Sequence, residues 1–269
     1  IMKTRSILCA VVALVITVPA NCQQVSFEAT ATARGETSDG LVTLPIAINA
    51  ARDVLGWELA DRDWSARVID QATGAEAASQ VHFSGDRAEL SWLVPGEQAD
   101  GTTRSYEITL GAPEGGTAAD DGVRVTVERE EDGLVVRTPW VVAHHDLSAG
   151  GMIGEVQSAG GATLPMRMND RLYEKGWGEF HLINDTEPEV EVLSDGPLQV
   201  VIRTTARYCR RDGSLPPGEP EATYTFVYSA FSPTVQMTAT IRQPGAADWD
   251  QVHVFEMYHK TDAPLFDTV

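Results

Sequence analysis

The sequence predicts an all-β protein, an N-terminal β-sandwich followed by an incomplete antiparallel β-supersandwich. Three observations carry this. Apolar and polar residues alternate with a period of two through residues 188–243. Gly, Pro, Asp and Ser punctuate the chain at short spacing, and beyond the first two dozen residues no stretch keeps a helical period over three turns.

At the N-terminus Lys3 and Arg5 form a basic head, residues 7–18 an apolar run, and Val18-Pro19-Ala20 a small-residue cleavage site. This pattern predicts a signal peptide over residues 1–22 and a secreted or periplasmic mature protein. A run of about 12 residues is short of the roughly 20 that span a bilayer as a helix, so no membrane partner is expected after its removal. Asn21 ahead of Cys22 departs from the small residue that a lipoprotein signal places there.

Residues 25–33 and 41–49 read as the first strands, with Pro45 marking the second as an edge or bulged strand. Residues 64–70, 80–83, 89–94, 105–110 and 123–128 continue the series. Ala72-Thr73-Gly74, Ser84-Gly85-Asp86, Pro95-Gly96 and Asp100-Gly101 supply the turns between them. Short strands at this spacing predict a sandwich over residues 23–132, with Trp57, Trp64 and Trp92 in its core. Residues 50–60 are the one candidate for a short helix, weakened by Gly56.

Composition turns to Pro, Gly, Ala and Asp at residues 112–122, and the boundary is expected near Asp132-Gly133, opening a second domain over residues 133–269. Residues 134–137 and 141–145 lead to Gly150-Gly151-Met152-Ile153-Gly154, read as a hinge before a strand at 155–158. Residues 169–175 read as polar and irregular, and 179–184 as a strand. The meander follows: 189–193, 198–208, 223–229 and 234–242, with Asp195-Gly196-Pro197 and Phe231-Ser232-Pro233 as turns. On its long second strand Val201, Arg203, Thr205 and Arg207 share one face, and Val200, Ile202, Thr204, Ala206 and Tyr208 the other. A last strand at 251–259 leaves the sheet looking unfinished.

A hydrophobic content of 43% can fill a core. With 20 basic against 39 acidic residues the formal charge is −19, which argues against nucleic acid or an anionic membrane as partner. Three cysteines, with Cys9 in the leader and Cys22 kept only if cleavage falls at Ala20, make no disulfide scaffold. Cys209 stands beside Arg207, Arg210 and Arg211, neighbours that lower a thiol pKa, although a strand-end cysteine is the plainer reading. No Cys or His spacing matches a metal motif, Asp61 with Asp63 and Asp120 with Asp121 complete no calcium loop, and no cofactor is expected.

The Gly150–Gly154 turn, the loop Tyr173-Glu174-Lys175-Gly176-Trp177-Gly178, Asp195-Gly196-Pro197 before an Arg-bearing strand, and the strand entered at Tyr224 together resemble a known architecture. It is the galactose-mutarotase-like β-supersandwich of exported bacterial carbohydrate-active proteins, including parts of polysaccharide lyases, and the resemblance covers residues 134–269. The motif from Glu89 to Gly96 looks like a leading β-domain of such proteins. The resemblance implies contact with carbohydrate. Mutarotases use a His acid and a Glu base; neither matches a motif here, and no catalytic residue is carried over.

Four groups of side chains are candidates for chemistry. His144-His145-Asp146 holds two imidazoles beside a carboxylate, but adjacent strand residues face opposite ways, so only one His serves a given pocket. In the last strand Glu256 and Tyr258 share one face, as a base and a phenol acid suited to a lyase, and His253 and His259 share the other. Trp177 between two glycines offers a platform for a sugar ring, with Tyr173, His181 and Arg171 in reach; Trp140 and Trp249 are weaker platforms, and core packing of Trp140 and Trp177 is the alternative. Arg203 and Arg207 could clamp a uronate, or pair across strands with Glu189, Glu191 or Asp195, which the acidic surroundings favour.

The expected function is an exported protein that binds or processes extracellular polysaccharide or oligosaccharide. Catalysis would fall to His144, Glu256 and Tyr258, and ligand binding to Tyr173, Trp177, His181 and Arg171. The alternative is a non-catalytic structural or cell-surface interaction module, and whether the protein is an enzyme stays open at this point.

Overall fold

A computed structural model describes residues 9–17, 25–34, 37–47, 65–84, 87–111, 125–164 and 166–259. Among these the regular elements are antiparallel strands and one 3₁₀ turn, as the sequence predicts. The candidate helix at 50–60, with Trp57 and Trp64, lies outside the described residues.

The chain divides into two units, residues 1–123 with 196–198, and residues 124–195 with 199–269. In the first, strands β1 (Cys9–Thr17), β2 (Val25–Thr32), β3 (Thr37–Ala47), β4 (Ser65–Asp70), β5 (Glu76–Ala77), β6 (Ser79–Ser84), β7 (Arg87–Gln98) and β8 (Thr103–Gly111) form two sheets. Their orders are β1-β2-β8-β4-β5 and β3-β7-β6. Alternate residues of β2 point inward, Val25, Phe27, Ala29 and Ala31, and meet Leu90, Trp92 and Val94 of β7 and Tyr106 and Ile108 of β8. Trp92 and Tyr106 join edge to face at 5.6 Å, so this core is that of a sandwich. Pro45 lies on β3, at the edge of its sheet and beyond a bulge at Ser38/Gly40, a position that tolerates a residue with no N–H. The apolar run of the expected leader contains β1, an edge strand paired with β2.

The second unit opens nine residues earlier than the sequence suggests. Strand β9 (Thr126–Arg129), expected to close the sandwich, instead pairs with β10 (Gly133–Arg137) through a tight turn in which Glu130 N–H meets Gly133 O at 2.9 Å. There follow β11 (Val141–Asp146), β12 (Met152–Ser158), β13 (Thr163–Leu164), β14 (Met166–Glu174), β15 (Gly178–His181), the 3₁₀ turn Leu182–Asn184, β16 (Glu189–Asp195), β17 (Gln199–Arg207), β18 (Glu221–Ser229), β19 (Gln236–Arg242) and β20 (Gln251–His259). Three sheets result, β13-β12-β11-β10-β9, β15-β14-β20 and the meander β16-β17-β18-β19. All three contribute to one core, for example Val136, Met168, Phe180, Ile202 and Phe226. On β17 the alternation is as read, with Val200, Ile202, Thr204 and Ala206 buried and Arg203 and Arg207 exposed.

The Gly150–Gly154 stretch is a packed turn and not a hinge. Gly150 and Gly151 have φ of 68° and 64°, Gly150 N–H donates to Asp185 O at 2.8 Å, and a Cβ at Gly150 would sit 2.5 Å from Leu182 O. The segment read as irregular, 169–175, falls on β14 as far as Glu174, and β14 is the central strand of its sheet. The strand expected over 179–184 stops at His181, because Ile183 N–H turns to Asn169 Oδ1 and Asp185 N–H closes onto Leu182 O. Trp140, expected in the second core if not a platform, is 40% exposed, with its indole N–H on Ala230 O.

Candidate functional site

Strand β14 reads Met-Arg-Met-Asn-Asp-Arg-Leu-Tyr-Glu from Met166. Met168, Asp170 and Leu172 point into the core, and Asn169, Arg171 and Tyr173 share the opposite face. An acid at an inward position is costly unless its oxygens are bonded. Asp170, fully buried, accepts the hydroxyls of Tyr224 and Tyr208, the latter at 3.3 Å, and Phe255 N–H at 2.8 Å. Burial pushes its carboxyl up to about 6, against the lowering effect of those three donors, and the nearby Glu256 charge pushes the same way as burial.

On the outward face β15 lies along one side of β14 and β20 along the other. Arg171 is opposite His181 on β15 and His253 on β20, and Asn169 is opposite Glu256. The main chain of Cys209 exchanges hydrogen bonds with that of His181 at 2.9 and 3.3 Å, and its carbonyl also accepts Asn184 Nδ2 at 2.9 Å. This bridge brings Arg210 and Arg211 over the end of β15. The result is a hollow of about 590 Å³ lined by Asn169, Arg171, Glu179, His181, Arg210, Arg211 and Glu256, together with Ile183 and Asn184.

Hydrogen bonds fix these side chains. Because Asn169 Oδ1 accepts Ile183 N–H at 3.4 Å, its Nδ2 is turned to His181 Nδ1 at 2.9 Å and donates to it. The neutral His181 therefore carries its proton on Nε2, 3.4 Å from Glu179 Oε2. Arg171 Nη1 donates to Glu179 Oε1 at 2.6 Å, and its Nε lies 3.4 Å from Glu256 Oε1 without an aligned hydrogen bond. Glu256 thus has a cation beside it and acceptor capacity to spare. Arg210 stacks over Phe180, its Cζ 4.5 Å from the ring centre, and donates to Trp177 O. Arg211 is exposed and has no ion-pair partner among the described residues.

Of the residues singled out from the sequence, Arg171, His181 and Glu256 are brought together here. His144 is not: it lies on β11 in another sheet, opposite Val135 and Glu155. Its neighbour His145 is buried, with Nδ1 2.9 Å from Gly151 O and Nε2 2.6 Å from the Tyr228 hydroxyl, and burial lowers its pKa to about 4. Tyr173 shares the outward face of β14 but does not line the hollow, and Trp177 packs edge to face on Trp249 at 5.8 Å. The backbone of Tyr258 pairs with Arg167, and its side chain lies outside the described residues. His253 does not face away from Glu256: a bulge in β20 puts its Nδ1 3.8 Å from Glu256 Oε1.

Arg203 and Arg207 are committed elsewhere, Arg203 to Glu191 directly across the ladder, as expected, and Arg207 to Asp185 at 3.4 Å. The Cys209 thiol is raised and not lowered, since burial and then Asp185 outweigh the opposing Arg207. Asn169, Asp170 and Glu179 were not singled out from the sequence; for Asn169 the available signal is the alternation of Arg167, Asn169, Arg171 and Tyr173 along β14. No protein-family model matches this chain, and no curated protein matches its sequence.

Proposed function

We propose that the hollow over β15-β14-β20 is the saccharide site of an exported protein that binds or processes extracellular polysaccharide or oligosaccharide. The observation that carries the reading is the convergence of Asn169, Arg171, Glu179, His181 and Glu256 on one hollow of about 590 Å³, within the size of small-ligand sites. Amide, guanidinium, imidazole and carboxylate groups in fixed orientations suit vicinal hydroxyls, which donate and accept at once. Three arginines against two glutamates make the hollow locally cationic in a chain of charge −19, which favours an acidic sugar over a neutral one. The resemblance to the mutarotase-like supersandwich supports the same ligand class. For turnover, the Glu256 carboxylate is the available base, and His181 Nε2–H is a hydrogen-bond donor to the sugar oxygens, in place of His144 and Tyr258.

The test is a panel of neutral glucans and acidic polyuronates titrated into the full chain by calorimetry, with ultraviolet absorbance following unsaturated products. Binding of a polyuronate that weakens about tenfold or more in Arg211→Ala and His181→Ala supports the reading. Absence of binding across the panel overturns it, and binding without product removes the lyase version. The second reading, a non-catalytic interaction module, is favoured by Val252, Val254, Phe255 and Met257, four exposed apolar side chains on edge strand β20. It gains if saccharide binding survives both substitutions.

A further inference from the structure

The ladder between β14 and β20 runs in register from Met166↔His259 to Asn169↔Glu256 and resumes at Arg171↔His253. Over that interval one residue of β14, Asp170, stands against two of β20, Val254 and Phe255. Phe255 has φ of 58°, a conformation that a bulky residue keeps only where its surroundings hold it. What holds it is Asp170: one carboxylate oxygen takes Phe255 N–H at 2.8 Å, and the other takes the hydroxyls of Tyr208 and Tyr224. The Phe255 ring packs edge to face on Tyr224 at 5.5 Å. The extra residue changes the parity of β20, so that His253 and Glu256 both face Arg171. A regular strand would send one of them to the opposite side.

We infer that Asp170 is the positioning residue of the hollow: it touches no ligand, and through the β20 bulge it turns Glu256 toward Arg171, so that ligand capture requires the ionised carboxylate. The inference rests on the saccharide reading of the hollow. Two hydroxyls share Oδ2 and can turn to accept a proton placed there, whereas Phe255 N–H on Oδ1 then faces a neutral carboxyl, so protonation turns the charge-assisted bond that holds the bulge into a weaker neutral one. The titratable groups that face it are Tyr208 at the end of β17, Tyr224 on β18 and Glu256 on β20. Burial places the Asp170 carboxyl near pH 6, and both phenols are pushed well above their ordinary range, so neither titrates with it.

The experiment is a pH series on the full chain with two readouts: affinity for a uronate trisaccharide by calorimetry, and the amide resonances of Phe255 and Glu256 in the ligand-free protein. Wild type is expected to bind several-fold more weakly below about pH 6 than above it, with both amides titrating at the same midpoint. Tyr224→Phe removes a donor that lowers the Asp170 pKa, so the midpoint is expected to move up in both readouts. Asp170→Asn keeps the shape, carries no proton to lose, and is expected to lose the step and bind weakly at every pH. A midpoint unmoved by Tyr224→Phe, or a step that persists in Asp170→Asn, overturns the inference. If the trisaccharide binds nowhere while the amides still follow Asp170, the saccharide reading fails and the positioning of Glu256 stands. Should Asp170→Asn not fold, the Tyr224→Phe midpoint decides alone.

Discussion

His145 and Asp170 are both buried in the second unit and both bonded to tyrosine hydroxyls, His145 to Tyr228 and Asp170 to Tyr208 and Tyr224. Their remaining bonds differ. His145 meets the carbonyl of Gly151 in a tight turn fixed by its own glycines, whereas Asp170 meets the N–H of Phe255, a bulky residue at positive φ. The first side of the comparison is core; the second is core linked to a surface. Burial and an odd pKa are common to both, so neither marks a functional residue by itself. The distinguishing mark is that one bond of Asp170 decides which way Glu256 points.

The largest expected effect comes from emptying either position. Asp170→Ala leaves two buried phenols and one N–H without an acceptor and is expected to lose about 4 kcal/mol in denaturant unfolding. His145→Ala strands one phenol and one carbonyl beside a cavity, an expected loss of about 3 kcal/mol. The comparison breaks if His145→Ala, still folded, weakens saccharide binding as much as the Asp170 substitution does.

Next comes pH, where the two groups oppose each other. Folding raises the Asp170 pKa from 3.8 to about 6, so its stabilisation is full below 3.8 and is lost as pH rises through 6. Folding lowers the His145 pKa from 6.5 to about 4, so its stabilisation is present above 6.5 and is lost as pH falls through 4. Each shift amounts to roughly 3 kcal/mol, so between pH 4 and 6 the two nearly cancel. Asp170→Asn is therefore expected to lose stability steeply on acidification in that window, and His145→Gln to gain it, as urea midpoints at several pH values would show. Parallel slopes in the two variants would contradict the assignment.

The smallest effect sharpens the role of the bulge. Phe255→Gly relieves a positive φ, worth about 1 kcal/mol, and loses the ring contact with Tyr224, so stability is expected to change by less than about 1 kcal/mol. In this background Asp170→Asn should weaken saccharide binding less than it does alone, because glycine holds the bulge unaided. An undiminished loss would separate Asp170 from the bulge.

The sequence makes the two regions unequally legible. The meander is readable because β17 and β18 obey a period of two with apolar residues inward, and the Arg203 to Glu191 pair follows from that register. Strand β14 is hidden because Asp170 occupies an inward position, and a sequence shows the acid but not the three donors that make it tolerable there. His253 is assigned to the wrong face for a related reason: the bulge is one residue long, leaves no glycine or proline behind, and reverses every parity argument beyond it. Arg171, His181 and Glu256 were individually visible as polar residues on strands. Their meeting depends on a three-strand order that joins β14 to β20 although β15 to β19 intervene in the chain, which no local pattern encodes.

The saccharide reading itself is tested most directly by chemical-shift mapping of the isotope-labelled full chain with a uronate trisaccharide. Perturbations are expected at Asn169, Arg171, His181, Arg211 and Glu256, with His144 and its neighbours on β11 unmoved. Perturbations centred on His144, or none anywhere at saturating sugar, would contradict it.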